Sequence, residues 1–364
     1  MPLILDNIIF DLQKAGGISK VWSKHLEQLS NINVDCHYIE TPKADMNLFR
    51  KEILLPPESI RLQRPIFPKI SRYLNSHCHN LNGTVFHSSY FRNPNENMAV
   101  VHTVHDFMYE FFDRGLQKKI HVAQKISAMK RADVIVCVSE HTKQDMFKLY
   151  PWTRNKKVNV VYNGADSEFY EIPNKGDLVF INGYTFKRNS FLLYVGSRGY
   201  CKNFPFVLKM LSSEYSKSLG LKLICVGGGA FSAGEQSELL EMGLWDNIIV
   251  FNSLDSPSLN LLYNYAKALL MPSIYEGFGI PALEAARTGC IVLGANNTTL
   301  PEILGSNDFL FSPFDFSEAS LSLNKLDDLN YVNAVKNSTK KKSSSFSWEI
   351  MTNNYMTIYK ELGL

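Results

Sequence analysis

What this chain of 364 residues lacks narrows its chemistry first. None of its sixteen aspartates falls in an Asp-x-Asp pair, so no metal clamp for a diphosphate is announced and no metal site is expected. No apolar run approaches the ~20 residues that cross a bilayer, and Asp6 and Asp11 interrupt the opening "MPLILDNIIFDLQ" too early for a signal peptide. A cytoplasmic protein is the expectation. The six cysteines (Cys36, Cys78, Cys137, Cys201, Cys225, Cys290) form no Cys-x-x-Cys pair and sit mostly in apolar runs, which argues for reduced core residues over a disulfide or zinc framework. "HCH" at 77–79 has no further ligand cluster to complete a metal site. The dinucleotide fingerprint G-x-G-x-x-G is missing too. Its nearest approach, "VGGGAFSAGE" at 226–235, carries Ser232 where the third glycine belongs, which argues against a nicotinamide or flavin cofactor. A net charge of only +3 excludes a nucleic-acid partner that relies on overall basicity.

What remains is ordinary soluble composition, 45% apolar and 20% charged, in a length that favours two domains. Strand-like runs alternate with helical ones from "LILDNIIF" through "GTVFHSS" (83–89), "MAVVHTVHD" (98–106) and "DVIVCVS" (133–139) to "KVNVVYNG" (157–164). The alternation restarts at "SFLLYVGS" (190–197) and runs through "LKLICVGGG" (221–229), "NIIVFNS" (247–253), "ALLMPS" and "IVLGA". Two such series predict an α/β protein with two Rossmann-like, doubly wound domains facing across a cleft, residues 1–170 in the first and 171–345 in the second.

Four short stretches carry chemistry. In "LQKAGGISKVW", Gly16 and Gly17 separate a first strand from a helix whose N-terminus favours an anion; a plain tight turn is the alternative. In "TVHDFMYE", His105 ends a buried strand, placed to bond a substrate hydroxyl or move a proton, or to serve as a structural histidine. In "YVGSRGYCKNF", Gly196 precedes Arg198 and Lys202, and Asn203 is placed to cap the next helix. A forked guanidinium, a point-charge ammonium and backbone N–H groups together suit a diphosphate, against the plainer reading of solvated surface. In "SIYEGFGIPALEAARTG" (273–289), Pro281 suits a helix start and Gly289 its end. Glu276 then lies in the loop beside Gly277 and Gly279, suited to grip vicinal hydroxyls. Glu284 is expected to face out of the helix's first turn, where the dipole favours a carboxylate whatever its function.

Together these residues resemble the large retaining glycosyltransferase family of GT-B fold known as family 4. The resemblance rests on E-x7-E from Glu276 to Glu284, on "GGIS", "VHD", "VSEHTKQD", "VYNGAD" (161–166) and "YVGSRGYCKN", and on the closing "FSWEIMTNNYMTIYKEL". It implies that the C-terminal helix, 346–364, packs back on the first domain. It implies that Glu284 holds the ribose hydroxyls of a nucleotide, that Glu276 contacts the donor sugar, and that Arg198 and Lys202 clamp the diphosphate. Backbone amides around Phe278, Gly279 and Ile280 would contact the sugar, with Gly16 and Gly17 completing the phosphate site and His105 beside the donor sugar. No cofactor beyond the nucleotide-sugar substrate is implied.

From Ser59 to Asn95 the chain has no Asp or Glu but has Arg61, Arg64, Lys69, Arg72 and Arg92, interleaved with Ile66, Phe67, Ile70, Tyr73 and Leu74. Such a segment suits peripheral contact with anionic membrane or a polyprenyl-diphosphate-linked acceptor, against a solvated loop and helix. The expected protein is a metal-independent, retaining glycosyltransferase that adds a sugar to a glycan or lipid-linked precursor of O-antigen or capsule. GDP-mannose is the first donor and a UDP-sugar the second. A GT-B nucleotide-sugar epimerase and a non-catalytic nucleotide- or glycan-binding module are the alternatives.

Overall fold

The computed structural model describes residues 2–64, 71–79, 81 and 83–364; Ile66, Phe67, Lys69 and Ile70 lie outside the described residues. The chain divides into two units, Met1–Gly164 with Ser347–Leu364, and Ala165–Phe346. Where the two chain segments of the first unit meet, Gly164 is packed so closely that a Cβ there would sit 2.3 Å from the Trp348 backbone nitrogen.

The described residues of the first unit form a parallel sheet of β1 (Leu3–Asp6), β2 (Cys36–Glu40), β3 (Ile60–Leu62), β4 (Val85–Ser88), β5 (Ala99–Val104), β6 (Val134–Cys137) and β7 (Lys157–Val160). Strands covered on both faces are expected to be apolar throughout, and β1 (Leu-Ile-Leu-Asp) and β6 (Val-Ile-Val-Cys) are fully buried. The order β3-β2-β1-β4-β5-β6-β7 reverses between β1 and β4, and ligands of open α/β sheets bind at such switch points. Here the switch point is filled by an internal ion pair. Asp6 is fully buried, accepts a hydrogen bond from Ser88 Oγ at 2.9 Å and pairs with Arg92 Nη1 at 3.2 Å. Burial raises the Asp6 carboxyl pKa, with Arg92 and Ser88 opposing. Arg92, read in sequence as part of a surface basic segment, is therefore a buried partner of Asp6 and no surface cation.

The closing helix Trp348–Glu361 belongs to the first unit and meets the helix Gly17–Asn31 through a polar chain in an otherwise apolar interface. His25 bonds Thr352 Oγ1 (3.0 Å) and the Tyr359 hydroxyl (2.9 Å); His87 bonds the same hydroxyl (2.6 Å) and Thr103 Oγ1 (2.9 Å); Thr103 in turn meets the Tyr355 hydroxyl (2.9 Å). Each of these buried groups has a partner, as low polarity demands.

In the second unit the described residues form an antiparallel hairpin, β8 (Leu178–Ile181) with β9 (Tyr184–Lys187), and a parallel sheet of β10 (Phe191–Val195), β11 (Lys222–Val226), β12 (Ile248–Phe251), β13 (Ala268–Met271), β14 (Val292–Ala295) and β15 (Leu310–Phe311). Its order, β12-β11-β10-β13-β14-β15, reverses between β10 and β13. All six cysteines are buried and none forms a disulfide, and among the described residues no helix is long and apolar enough to cross a membrane.

Burial lowers His25 from its ordinary 6.5 to about 3 and His87 well below 6.5, so the folded protein resists their protonation while the unfolded chain accepts it. Stability is therefore complete above pH 6.5 and falls towards pH 3, by about 1.4 kcal/mol per pH unit per histidine. Urea unfolding across that range should show a shallower decline for His25→Gln, which keeps a neutral hydrogen-bonding side chain; an unchanged slope would remove His25 from the acid limb.

Candidate active site

Adjacent strands β10 and β13 end side by side, and their loops carry most of the residues singled out in the sequence. Two contacts tie the loops together. The Ile274 N–H donates to the Cys201 carbonyl (2.8 Å), and Asn203 Nδ2 donates to the carbonyls of Pro272 (3.1 Å) and Pro313 (2.9 Å). Asn203, expected to cap the helix Phe204–Leu211, makes no side-chain cap; its left-handed backbone (φ 55) turns the amide towards the neighbouring loop. With the loops fixed, Lys202 Nζ lies 2.6 and 2.8 Å from the two carboxylate oxygens of Glu276, and Ser273 Oγ donates to Glu276 Oε1 at 2.7 Å. The cation and carboxylate that the sequence assigned to different parts of a ligand are thus one ion pair, with Glu276 buried and Lys202 partly open.

The loop turns into the helix Ile280–Thr288 at Gly279, whose φ of 95° and close neighbours, Leu300 Cδ2 and Met271 Cε each 3.2 Å from an added Cβ, leave room only for glycine. Pro281 stands in the first turn and Gly289 ends the helix in left-handed geometry. Phe278 is buried and its carbonyl accepts from Thr299 Oγ1 (2.5 Å), while Gly277 and Ile280 are half-buried on either side. Glu284 departs from expectation. The helix begins at Ile280, so residue 284 falls past the first turn on the buried face, 3% exposed, where the Tyr263 hydroxyl donates to its Oε2 at 3.0 Å. Burial and the adjacent carboxylate push the Tyr263 phenol well up, so it remains a donor.

Arg198 is held away from a two-pronged role. Its Nε donates to Glu235 Oε1 (2.7 Å), Nη2 to the carbonyls of Gly229 (3.1 Å) and Ala230 (2.9 Å), and Nη1 to that of Gly227 (3.4 Å). The Phe231 ring lies 4.4 Å from the guanidinium carbon. With Nε and both Nη2 hydrogens engaged, no fork is left for two parallel bonds to a phosphate. Arg198 instead shapes the glycine loop after β11, beside Gly196, and a Cβ on Gly228 would come 2.7 Å from its Nη1. Ser232, the residue that broke the dinucleotide pattern, caps the helix Ala233–Glu241 in a reciprocal box with Glu235.

The remaining predicted residues belong to the first unit. Gly16 caps and Gly17 begins the helix Gly17–Asn31, but Gln13 folds over this N-terminus, its Oε1 accepting the Ser19 N–H at 3.1 Å. His105 follows β5, half-buried; desolvation lowers it to about 4, with Asp106 opposing and Lys125 adding, so it is neutral near pH 7. Sequence reasoning missed Ser273, Tyr263 and Glu235. Ser273 was readable in principle, three residues before Glu276 in one loop, whereas Tyr263 and Glu235 reach the site from separate helices and leave no local signal.

Glu235→Ala removes both the Arg198 partner and the reciprocal cap, and should lower unfolding free energy in urea by about 1.5–3 kcal/mol; Glu235→Gln, which keeps the cap, should lose less. Equal stability of the two variants would remove the cap's share, and a Gln variant as stable as wild type would contradict the role of the charge.

Two family models match the chain, Glycosyltransferase Family 4 over residues 15–169 and Glycosyl transferases group 1 over 181–342. Serotype-specific mannosyltransferase WbdA of Escherichia coli is 38% identical over 108 residues, 29% of this chain and only 13% of the relative's length. O-antigen chain mannosyltransferase B of Escherichia coli is 25% identical over 291 residues, 76% of this chain and 74% of the relative. Among solved structures, sucrose-phosphate synthase from Thermosynechococcus elongatus aligns with a TM-score of 0.77 at 15% identity, covering 100% of this chain and 99% of that one, a likeness of fold alone. With its two doubly wound units and both halves matched, the chain belongs to the family 4 glycosyltransferases of GT-B fold.

Proposed function

We propose that this protein transfers a sugar from a nucleoside diphosphate to a glycan or polyprenyl-diphosphate-linked acceptor in surface polysaccharide synthesis. The donor is GDP-mannose first and a UDP-sugar second, with retention of configuration and without a metal. The observation that carries the reading is the Lys202–Glu276 pair at the switch point of the second sheet, one loop from the buried Glu284. The mannosyltransferase relatives support the choice of sugar and of surface polysaccharide.

In this reading Glu284, oriented by Tyr263, takes the ribose hydroxyls, and Glu276, oriented by Ser273, takes hydroxyls of the donor sugar. The diphosphate draws Lys202 from Glu276, which frees that carboxylate for the sugar as the ammonium turns to the phosphate. Departure of the nucleoside diphosphate builds negative charge on the leaving oxygen and oxocarbenium character on the sugar, so a positioned cation stabilises the transition state more than the ground state. Because Arg198 is engaged by Glu235 and the glycine loop, Lys202 carries this charge, while backbone amides around Phe278 and Gly279 steady the sugar. The acceptor attacks from the face the diphosphate leaves, and the departing phosphate accepts its proton. His105, neutral, offers a hydrogen bond and no charge.

Thermal-shift titration with GDP, UDP, ADP and dTDP, with and without EDTA, tests the site. One diphosphate should stabilise the wild type regardless of EDTA, and Glu284→Ala should abolish the shift. No shift with any nucleotide would sink the donor site. In transfer assays Lys202→Ala should lower kcat by about 10²–10³, the loss typical of one transition-state donor. The pH profile of kcat/KM should lack a break near 6.5, since His105 titrates at about 4; such a break, if lost in His105→Asn, would mean the imidazole works as an acid.

A further inference from the structure

The second unit holds a cavity that the donor site does not use. It measures about 530 Å³, within the ~300–1,000 Å³ typical of small-ligand sites. One wall comes from the C-terminal end of the helix Phe204–Leu211 and the residues after it, the other from the helix Phe316–Asn324. On the second wall Phe316, Ser320 and Asn324 follow one another at four-residue intervals, so they share a face and span about 12 Å along it. This strip starts close to the donor loops in the chain. Phe316 comes three residues after Pro313, whose carbonyl accepts from Asn203.

The lining has the chemistry of a carbohydrate site. Phe316 is 37% exposed and its ring, set edge-on to Phe206 at 6.1 Å, offers an apolar surface to the CH face of a sugar. Ser320 and Asn324 each combine a donor and an acceptor, as sugar hydroxyls do, and among the described residues neither side chain is bonded within the protein. Ser212 Oγ, on the facing wall, is shut off from bulk water and has no partner, a state that costs free energy unless a bound group supplies the missing bond. Charge is balanced. Lys209 and Glu214 contribute one of each sign, so the cavity favours a neutral polyhydroxyl ligand over a phosphate or a carboxylate.

We propose that this groove is a second saccharide site, apart from the donor site, that holds a neutral oligosaccharide stretch of the glycan on which the protein acts. The inference rests on the glycosyltransferase reading for the source of its ligand. A ring lying on Phe316 presents its hydroxyls to Ser320 and Asn324. A glycan kept there between transfers stays tethered to the unit that binds the donor, which raises the effective concentration of its growing end.

Calorimetric titration of the full chain with α-manno- and malto-oligosaccharides, without nucleotide, tests the groove. Wild type should bind one of the two series with an affinity indifferent to salt. Phe316→Ala should weaken binding about tenfold, the upper end for one aromatic contact, and Asn324→Ala about fivefold, the loss of one neutral hydrogen bond. Neither residue belongs to the donor loops, so nucleotide-induced thermal shifts should match wild type in both variants. Oligosaccharide binding that depends on Phe316 in a protein no nucleotide stabilises would leave the groove standing and remove the donor site instead. The proposal is overturned if wild type binds neither series or if both variants bind like wild type. It is equally overturned if affinity falls as salt is raised, which would mark an anion held by Lys209, or if Phe316→Ala abolishes the nucleotide shift, which would make the groove a nucleotide site.

Discussion

An ammonium and a carboxylate drawn out of bulk water at the end of a parallel sheet must find each other or stay apart in solvent, and Lys202 and Glu276 have found each other. Much of the second unit's local architecture serves that pairing. Asn203 ties the loop after β10 to the loop after β13, Ser273 supplies the carboxylate with a further donor, and Gly279 lets the chain turn sharply enough to start the helix carrying Glu284. A buried ionic partner left alone costs about 3–5 kcal/mol, so each member fixes the other until a stronger anion arrives. A diphosphate is such an anion, and under the proposed function the pair is a site held ready rather than a structural staple.

The two units solve the same topological problem with different charge logic. Each sheet reverses its strand order once. In the first unit the reversal point is closed by Asp6 and Arg92, both buried, and the nearby His105 is neutral. In the second it presents a partly open lysine. The second unit thus offers a cation at its reversal point, and the first a neutral imidazole.

Much of this was legible before any coordinates. The runs "DVIVCVS" and "LKLICVGGG" read as buried parallel strands because such strands are apolar on both faces. The strands Cys36–Glu40 and Ile60–Leu62 and the hairpin Leu178–Lys187 did not stand out, because they mix polar and apolar residues and the shortest have three or four residues. Glu276 was readable from its place between a strand end and a glycine turn. The burial of Glu284 was not, since it depends on Tyr263 reaching across from another helix. Arg198 shows the limit most sharply. Spacing placed it beside Lys202, but Glu235 and the carbonyls of Gly229 and Ala230, about thirty residues away, decide where its guanidinium points.

The central claim is that the switch point of the second sheet binds a nucleoside diphosphate through residues on the loops after β10 and β13. Hydrogen–deuterium exchange with and without saturating GDP tests it most directly. The account predicts slowed exchange across 195–203 and 273–286 in the presence of the nucleotide. Protection confined to the first unit, with those two segments unchanged while GDP is bound, would contradict it.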